Sequence, residues 1–456
     1  MQDKHVLSRR RFLKSATAGL GLFMLGGCGA GIQRTGRTSP KPNVLFIYTD
    51  DQGIGDLGCY GGDDIITPHT DALAERGVRF RQMYAPSSIC SPSRAGLLTG
   101  CYPHRVGVPN NISSQPGARG MPSEHTTMGD AFRAAGYATA HIGKWHLGYS
   151  DDTMPNAQGF DHSFGHMGGC IDNYSHYFYW EGPNRHDLRR NGKEVFYDGH
   201  YFPDLMVHEA ATFMTDHRDR PFFIYFAVNT PHYPYQPEEK WLTRYRDAGV
   251  PYPRDLYGAF VSSQDECIGR LMAHLDALGL RDNTIVVFQS DHGPSTEDRA
   301  HQGGGSAGIY RGAKFSLFEG GIRVPAIISW PGTLPNNTIR EQMAHAVDWL
   351  PTLSALCGIE LLDNAIDGKD ITAILNSPDA SSPHNVLYWR VGAQRAVREG
   401  DWKLILNPHI HGQPLSEADN PFLANLAKDP AERVNFAGDF PEIVTRLTDF
   451  ADAHWR

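Results

Sequence analysis

Acidic and imidazole side chains directly follow two apolar segments of the chain. Asp50 and Asp51 come after "NVLFIYT", and Asp291 and His292 come after "NTIVVFQS". Adjacent carboxylates at the end of a buried strand raise each other's pKa unless a cation lies between them. Three carboxylates with few soft ligands favour a hard divalent cation such as Ca²⁺ or Mg²⁺. Each Asp could instead cap a neighbouring helix, but the two pairs together favour a metal site.

Lysine and histidine side chains occur in three further segments. Lys144 and His146 in "GKWHLG" are two residues apart, so an extended backbone would place both on one face. There they could hold an oxyanion and transfer protons. His232 in "NTPHYPY" and Lys314 in "YRGAKFSLFEGG" offer the same chemistry. Each taken alone could equally be a salt-bridged lysine or a surface histidine, so only their convergence would make a site.

Cys90 opens the segment "CSPSRAGLLTG", which we predict to be a short helix with Pro92 in its first turn and Gly100 at its end. A helix N-terminus attracts anions and lowers the pKa of a thiol, and the Arg94 guanidinium suits a tetrahedral oxyanion. A thiolate nucleophile would nevertheless be poorly matched to a hard cation beside it. The pattern leaves Cys90 open as a buried thiol, half of a disulfide, a metal ligand, a nucleophile or the precursor of a modified residue.

Apolar strands and helices alternate along the chain. "NVLFIYT", "PFFIYFAVN" and "NTIVVFQS" are continuous apolar runs, typical of strands buried on both faces of a parallel sheet. Helices are predicted over about 67–77, 127–136, 204–217 and 255–278 from their caps and stops. This alternation predicts an α/β fold with a mostly parallel central sheet between helices. Ligands bind such a sheet outside the carboxyl ends of its strands, where the polar residues lie.

The C-terminal part has a different pattern. Short alternating segments separated by Gly and Asp in "NVLYWRVGAQRAVREGDWKLILN" predict a small antiparallel sheet. The last segment, "PEIVTRLTDFADAHW", predicts an amphipathic helix. We therefore divide the chain into a main domain over 43–380 and a C-terminal subdomain over 381–456.

The N-terminus is typical of an export signal. "SRRRFLK" precedes the short apolar run "ATAGLGLFMLGG", which indicates a twin-arginine signal over 1–28. "LGGC" resembles a lipoprotein cleavage site, which would leave Cys28 lipidated and the protein anchored to a membrane; in a plain cleaved signal Cys28 is incidental. Residues 29–42 are predicted to be a linker. We expect the protein in the periplasm or the cell envelope.

Composition narrows the classes of partner and cross-link. The formal net charge of −9 argues against a nucleic-acid partner. The 7 cysteines are irregularly spaced, so we predict no disulfide framework and expect most of them to be small buried apolar residues.

Together these segments resemble the type I sulfatases, a formylglycine-dependent family of the alkaline phosphatase superfamily. "CSPSRAGLLTG" matches every defining position of the family signature C-x-P-S-R-x-x-L-x-T-G, and the similarity extends from "NVLFIYTDDQGIGDLGCYGG" to "NLAKDPAERVNFAG". The resemblance implies an alkaline phosphatase-like fold and an arylsulfatase-like carbohydrate sulfatase. It also implies that a formylglycine-generating enzyme converts Cys90 to Cα-formylglycine (3-oxoalanine).

The resemblance implies a metal ion, with Ca²⁺ ahead of Mg²⁺. The corresponding ligands in this chain are Asp50, Asp51, modified Cys90, Asp291 and His292. The last of these is Asn in many members of the family and His in others.

The resemblance also implies roles for the basic residues. Arg94 corresponds to the arginine that fixes the formylglycine and its charge, and Lys144 and Lys314 bind sulfate. One hydroxyl of the hydrated aldehyde attacks sulfur, and the basic groups and the cation stabilise the charge that develops. His232, which also contacts substrate, protonates the leaving alcohol with help from Lys314. His146 then removes the proton of the other hydroxyl, which expels sulfate and restores the aldehyde.

Two segments are expected to bind the leaving group. Residues 168–192 combine aromatic side chains with Arg and His, and residues 294–312 form a glycine-rich loop. Aromatic faces with interspersed polar groups suit a sugar, although Tyr177, Tyr179 and Trp180 could instead pack in a β-hairpin. We expect a sulfated glycan or oligosaccharide as substrate. The alternatives are a formylglycine-dependent phosphonate or phosphodiester hydrolase and a non-catalytic glycan-binding lipoprotein.

Overall fold

The structure is a computed structural model that describes residues 41–180, 182–361 and 365–454. The predicted signal over 1–28, with Cys28, and residues 29–40 of the predicted linker lie outside the described residues. Within the described part of the chain, no helix is both long and apolar enough to cross a bilayer.

The secondary structure alternates strands and helices through the first three quarters of the chain. The strands are β1 (Asn43–Thr49), β2 (Val78–Tyr84), β3 (Ala138–Lys144), β4 (His162–His166), β5 (Tyr177–Phe178), β6 (Arg185–His186), β7 (Arg189–Arg190), β8 (Lys193–Glu194), β9 (Phe222–Ala227), β10 (Thr284–Ser290), β11 (Arg323–Ser329), β12 (Thr338–Arg340), β13 (Ala344–His345), β14 (Val386–Val391), β15 (Gln394–Glu399), β16 (Trp402–Leu406) and β17 (Phe422–Asn425). The α-helices are α1 (Pro68–Glu75), α2 (Cys90–Thr99), α3 (Met128–Ala134), α4 (Phe202–Asp216), α5 (Glu239–Asp247), α6 (Arg254–Ala277), α7 (Glu319–Ile322), α8 (Trp349–Cys357), α9 (Thr372–Asn376) and α10 (Pro441–His454). Short 3₁₀ helices span Ile54–Asp56, Gly58–Tyr60, Pro155–Gln158, Arg281–Asn283, Asp298–Ala300, Ala346–Asp348 and Glu417–Asp419.

The helix ends follow the local signals in the sequence. The Thr127 hydroxyl accepts a hydrogen bond from the backbone N–H of Asp130 at 3.1 Å and so caps α3, close to the predicted start of that helix. Gly100 ends α2 with a left-handed φ of 67°, a conformation that glycine adopts without strain. The helices predicted over about 204–217 and 255–278 correspond to α4 and α6.

The central sheet has the strand order β12–β2–β11–β10–β1–β9–β3–β4–β7–β8, with β13 also paired to β2. Its middle part, from β10 through β1, β9 and β3 to β4, is entirely parallel. On one side β11 runs antiparallel to both β10 and β2, and on the other β7 runs antiparallel to β4. The predicted α/β fold with a mostly parallel central sheet is therefore confirmed.

Strand β1 is buried on both faces because its alternate residues pack in two different cores. Val44, Phe46 and Tyr48 pack with side chains of α2, α3 and α8. Leu45 and Ile47 pack on the opposite face with side chains of α1, α4 and α6. The continuous apolar run thus reflects helices on both sides of the sheet.

The carboxyl ends of the parallel strands meet at one edge of the sheet. The register pairs Thr49, the last residue of β1, with Ser290, the last residue of β10. It also pairs Gly143 of β3 with Ala227, the last residue of β9. Polar residues that follow these strands are consequently brought to a common edge.

The second sheet is the antiparallel meander β14–β15–β16–β17. One face is covered by α10 through Leu447 and Ala451. The other face packs on Leu317, Phe318 and Ile322, at and before α7. The predicted C-terminal sheet and helix are confirmed, and the division of the chain at residue 380 stays a prediction.

Candidate active site

Asp50, Asp51 and Asp291 lie together where β1 and β10 end, and all three are buried. Asp50 and Asp291 each come directly after one of the two paired strand ends. Asp51 has a left-handed φ of 63°, and its backbone N–H donates to Asp291 Oδ1 at 3.1 Å. This bond ties the two strand ends together at the point where the carboxylates meet.

The cluster fits a metal ion. Two sets of potential ligand atoms each lie within 4.8 Å of one another: Asp50, Cys90, Asp291 and His292, and Asp50, Asp51, Cys90 and His232. Asp51 Oδ1 is buried and accepts no hydrogen bond from the described residues. His292 donates its Nδ1–H to the Gly293 carbonyl at 2.9 Å, which leaves Nε2 available, 3.4 Å from Cys90 Sγ. Buried carboxylate oxygens with one imidazole nitrogen suit a hard divalent cation.

The charges of the cluster shift one another's pKa. Burial and the carboxylates of Asp50 and Asp291 raise the pKa of Asp51 to about 6. Burial acts on Asp50 as well, but the Lys144 ammonium and other nearby cations hold its pKa well below the usual range. Burial opposes protonation of His292, yet Asp291 raises its pKa to about 9. A bound cation would lower both of these raised pKa values, because its charge favours the ionised carboxylate and the neutral imidazole.

Arg94 contacts two carboxylates of the cluster. One of its terminal nitrogens lies 3.0 Å from Asp291 Oδ2 and 3.4 Å from Asp50 Oδ1, and the other donates to the Lys144 carbonyl at 3.2 Å. The guanidinium is fully buried and packs over the ring of Tyr48. The fork thus contacts two of the candidate metal ligands, and its predicted roles towards an oxyanion and the formylglycine stay predictions.

The two candidate lysines each contact a different carboxylate of the cluster. Lys144 Nζ donates to Asp50 Oδ2 at 2.6 Å. Lys314 Nζ donates to Asp51 Oδ2 at 3.0 Å and lies 3.1 Å from Glu297 Oε2. Both side chains are almost completely buried, so their charges act at short range and with little screening by water.

The surroundings of both candidate catalytic histidines favour the neutral imidazole. Burial and the Lys314 ammonium hold the pKa of His232 well below its usual range, and burial and the Lys144 ammonium do the same for His146. His232 donates its Nδ1–H to the Tyr233 carbonyl at 2.7 Å. Its Nε2 is therefore an acceptor for Lys314 Nζ, 3.3 Å away.

Lys144 and His146 do not share one face of an extended strand, which is a correction to the sequence analysis. β3 ends at Lys144, and His146 has a left-handed φ of 57°, which interrupts the side-chain alternation of an extended segment. The Nε2–H of His146 donates to the Ile112 carbonyl at 3.1 Å. Its buried Nδ1 has no hydrogen-bond partner in the described chain, so this nitrogen can accept a proton.

A cavity of about 360 Å³ has Cys90, His146, His232 and Lys314 in its wall. The carboxylate cluster, His292 and Lys144 do not line it, but Asp50 and His292 lie 3.6 Å and 3.4 Å from Cys90 Sγ, and Asp51 contacts Lys314. Cys90 is the first residue of α2, so the N-terminus of a ten-residue helix faces the site. A larger cavity of about 660 Å³, lined mainly by residues 54–64 and 304–310, contains none of these groups. We place the candidate active site in the smaller cavity because the chemistry lies there.

The two segments predicted to bind a leaving group both reach the cavity. Phe178 and Trp180 from the first segment line it, with Glu297 and Arg299 from the second. The rings of Tyr179 and Trp180 are stacked with centroids 4.3 Å apart. The aromatic residues of the first segment thus do not all have the same surroundings. Phe178 and Trp180 reach the cavity and also pack in an apolar cluster, while Tyr177 and Tyr179 are exposed.

Two parts of the cavity were not predicted from the sequence. Glu297 falls within a predicted segment, but no pattern marked it as the partner of Lys314. Residues 111–114 form another part of the wall, and Asn111 Oδ1 accepts a hydrogen bond from the Ser91 N–H at 3.0 Å. This loop neither follows a strand nor carries aromatic residues, so no signal in the sequence pointed to it.

The chain is similar to known proteins in sequence and in structure. The family model described as Sulfatase matches residues 42–359. The N-acetylgalactosamine-6-O-sulfatase of Bacteroides thetaiotaomicron is 32% identical over 95% of this chain and 97% of the relative. Arylsulfatase A of Homo sapiens is 33% identical over 89% of this chain and 86% of the relative. The crystal structure of Ps i-CgsB in complex with k-i-k-neocarrahexaose matches with a TM-score of 0.80 and 28% identity, over 91% of this chain and 93% of that chain.

Proposed function

The chain belongs to the sulfatase family and is a sulfuric ester hydrolase, and we propose that it removes sulfate from a saccharide. The observation that carries the proposal is the convergence of two lysines, two neutral histidines and a carboxylate cluster around Cys90. Two comparisons support the substrate class, since one relative is named a sulfatase of an amino sugar and one similar structure holds a neocarrahexaose. Phe178 and Trp180 add aromatic faces that suit a sugar ring.

We assign the metal site to Asp50, Asp51, Asp291 and His292, with residue 90 completing the set. Oxygen ligands outnumber softer ones, so Ca²⁺ is the proposed ion. When bound, this ion would polarise the sulfate ester and the nucleophilic oxygen of residue 90. Conversion of Cys90 to Cα-formylglycine would remove the soft sulfur, which matches a hard cation poorly.

We assign charge stabilisation and proton transfer to the lysines and histidines of the site. Lys144 and Lys314 oppose the negative charge of the sulfate group, because both ammonium groups border the cluster. Lys314 donates to His232 Nε2, so this nitrogen can take a proton from the ammonium and then release it to the leaving oxygen, while Nδ1–H stays on the Tyr233 carbonyl. His146 has an unpartnered Nδ1 within the described residues, which can accept a proton from residue 90. The tautomers set by the Tyr233 and Ile112 carbonyls keep both acceptor nitrogens available.

Export and maturation complete the proposal. The twin-arginine segment supports transport to the periplasm or the cell envelope, and Cys28 is the proposed site of lipid attachment. The formylglycine-generating enzyme is the proposed partner in maturation. Replacing Cys28 by Ala is expected to release the protein from the membrane fraction, as measured by fractionation of the native host. Unchanged membrane association of this variant would contradict lipidation.

The decisive experiment compares Cys90→Ala with Cys357→Ala. We expect Cys90→Ala to lower kcat/KM on defined sulfated saccharides by about 10³-fold or more, because it removes the nucleophile. Cys357 is buried in α8 and does not line the cavity, so its variant should keep the activity. Peptide mass spectrometry of the natively produced protein should find formylglycine at position 90. A Cys90→Ala protein with full activity would contradict the proposal.

The same assay separates the alternatives. Phosphate diesters and phosphonates are tested beside the sulfated saccharides. Faster cleavage of these phosphorus compounds would favour the phosphonate or phosphodiester hydrolase. Glycan binding without hydrolysis by a protein whose Cys90 stays a thiol would favour the binding lipoprotein.

A further inference from the structure

A second cluster of metal-ligating side chains lies outside the active-site cavity. His176, His186 and Asp198 place one ligand atom each within 4.8 Å of one another. None of the three belongs to the carboxylate cluster at the ends of β1 and β10. We propose that these residues form a second metal site, which binds a borderline transition cation such as Zn²⁺.

The hydrogen bonds of the two rings leave one nitrogen of each available. The Nε2–H of His176 donates to the His200 carbonyl at 3.1 Å, and the Nδ1–H of His186 donates to Glu194 Oε1 at 3.0 Å. The remaining nitrogens, Nδ1 of His176 and Nε2 of His186, therefore carry lone pairs. Metal-binding histidines in proteins usually have this arrangement, in which the second nitrogen donates to a carbonyl or a carboxylate.

Both of these nitrogens are buried, and neither has a hydrogen-bond partner among the described residues. The side chain of His176 is fully buried and that of His186 is 8% exposed. A buried ring nitrogen without a partner loses the hydrogen bond that water would supply. A bound cation removes this cost for both rings at once.

The donor set selects the kind of cation. Two imidazole nitrogens and one carboxylate oxygen suit Zn²⁺ and similar ions, whereas Ca²⁺ prefers six or more oxygens. Ligands about 2.1 Å from a tetrahedral ion lie roughly 3.4 Å apart, so ligand atoms that lie within 4.8 Å of one another would move inward to bind it. Asp198 is exposed and free to make this movement, and water completes the coordination.

The site would fix the hairpin that forms part of the leaving-group pocket. His176 directly precedes β5, and His186 ends β6, where the register pairs it with Tyr177. The next residue of β5, Phe178, lines the active-site cavity together with Trp180. Asp198 lies on a separate turn beyond β8. A cation bound by all three residues would therefore join this turn to the hairpin and hold the aromatic wall in place.

The test uses Co²⁺ as a spectroscopic probe on chelator-treated protein that has been resupplied with excess Ca²⁺. We expect one equivalent of Co²⁺ to bind with the visible absorption of a four-coordinate ion, and Zn²⁺ to displace it. His186→Gln should abolish this binding, and Asp198→Asn, a change on the surface, should weaken it by about tenfold or more. Glu194→Gln should weaken it by about 10- to 100-fold, because Glu194 orients His186.

Matched controls identify the site. Asp151→Asn alters another exposed aspartate and should leave Co²⁺ binding unchanged. Asp291→Asn removes a ligand of the first metal site and should also leave it unchanged. Hydrogen exchange across residues 172–200 should slow when Zn²⁺ is added to the wild-type protein. Equal Co²⁺ binding by wild type and Asp198→Asn, loss of binding in Asp291→Asn, or no binding up to about 1 mM Co²⁺ would overturn the proposal.

Discussion

Arg94 links two carboxylates of the candidate active site. Its guanidinium keeps its charge at any pH the protein meets, and it contacts Asp50 and Asp291 at once. The guanidinium therefore holds the two carboxylates in fixed positions beside each other. A lysine has a single ammonium and lacks the planar fork that serves both acids and the Lys144 carbonyl.

Replacing Arg94 by Lys is expected to lower the affinity for Ca²⁺ by about 10- to 100-fold, because the variant no longer orients two ligands together. The measurement is a calorimetric Ca²⁺ titration of chelator-treated protein. Arg133→Lys is the matched control, since Arg133 is exposed and pairs only with Asp130 among the described residues. Equal affinities of the two variants would show that Arg94 does not act through the metal ligands.

Residue types at strand ends could be predicted from the sequence, but the contacts between distant segments could not. Asp50 and Asp291 were recognised because an apolar run stops at each of them. The backbone turn at His146 and the pairing of Glu297 with Lys314 depend on segments that meet only in the folded chain. The free nitrogens of His176 and His186 likewise become visible only once their hydrogen bonds are known.

At the scale of elements, the C-terminal sheet holds the loop that carries Lys314. Gln394, the first residue of β15, donates to the Phe315 carbonyl at 2.7 Å and accepts from the Leu317 N–H at 3.3 Å. Glu319, in α7, lies 2.8 Å from Lys403 Nζ of β16. The small sheet is thus part of the support of the active site.

Glu319→Gln is expected to lower the free energy of unfolding by about 3 kcal/mol, because it removes the carboxylate that pairs with Arg323 and one of the two carboxylates that pair with buried Lys403. Glu319 contacts Arg323 at 3.1 Å as well as Lys403. Chemical denaturation measures the change. Glu341→Gln is the control, since Glu341 is 62% exposed in its pair with Arg81, and we expect a change below about 0.5 kcal/mol.

The pH dependence of the same variant provides a second test. Although burial opposes it, the cations of Lys403 and Arg323 lower the pKa of Glu319 from 4.5 to about 2. Between these values the unfolded chain binds more protons, so wild-type stability falls as pH falls from 4.5 towards 2. The unfolding free energy of Glu319→Gln should depend less on pH in this range. A parallel dependence in both proteins would contradict the role of Glu319.

The sequence predicted some strands and missed others for physical reasons. β1, β9 and β10 are buried on both faces, so each reads as a continuous apolar run. β2 carries Arg79, Arg81 and Gln82 between its apolar residues, and β11 contains Pro325, which argues against an interior strand. The register between β11 and β2 shifts between Val324 and Ala326, and this irregularity accommodates the proline.

At the scale of the whole molecule, the strand order could not be predicted from the sequence. β10 pairs with β1 across more than half of the chain, and β2 lies two strands away from β10. An apolar run indicates that a strand is buried, but it does not indicate which strands pair with it. The fold class followed from local patterns, whereas the topology depends on which helices cover each face.

A metal ion that binds only the folded molecule should stabilise it as a whole. Excess Ca²⁺ at about 100 times its Kd is expected to raise the unfolding free energy of chelator-treated protein by about 2.7 kcal/mol. Mg²⁺ at the same concentration should have a smaller effect, because it accommodates a crowded protein ligand set less readily. Thermal unfolding with each ion measures both.

The control for this measurement is Asp291→Asn, which lacks one proposed ligand. Ca²⁺ should stabilise this variant much less than the wild-type protein. The same increase in both proteins would place the stabilising ion elsewhere, and no increase in the wild type would argue against a Ca²⁺ site.

The burial of Cys90 limits the period in which the proposed maturation enzyme could reach it. The residue is 1% exposed at the start of a helix whose residues are all buried, so the proposed maturation enzyme would have to act before the sheet and its helices close. The strands that hold the Lys314 loop are among the last to be synthesised. They follow Cys90 by about 300 residues, which at 5–20 residues per second gives a delay of roughly 15 to 60 s. Because the small sheet comes at the end of the chain, the proposed conversion of Cys90 would have this interval of synthesis in which to take place.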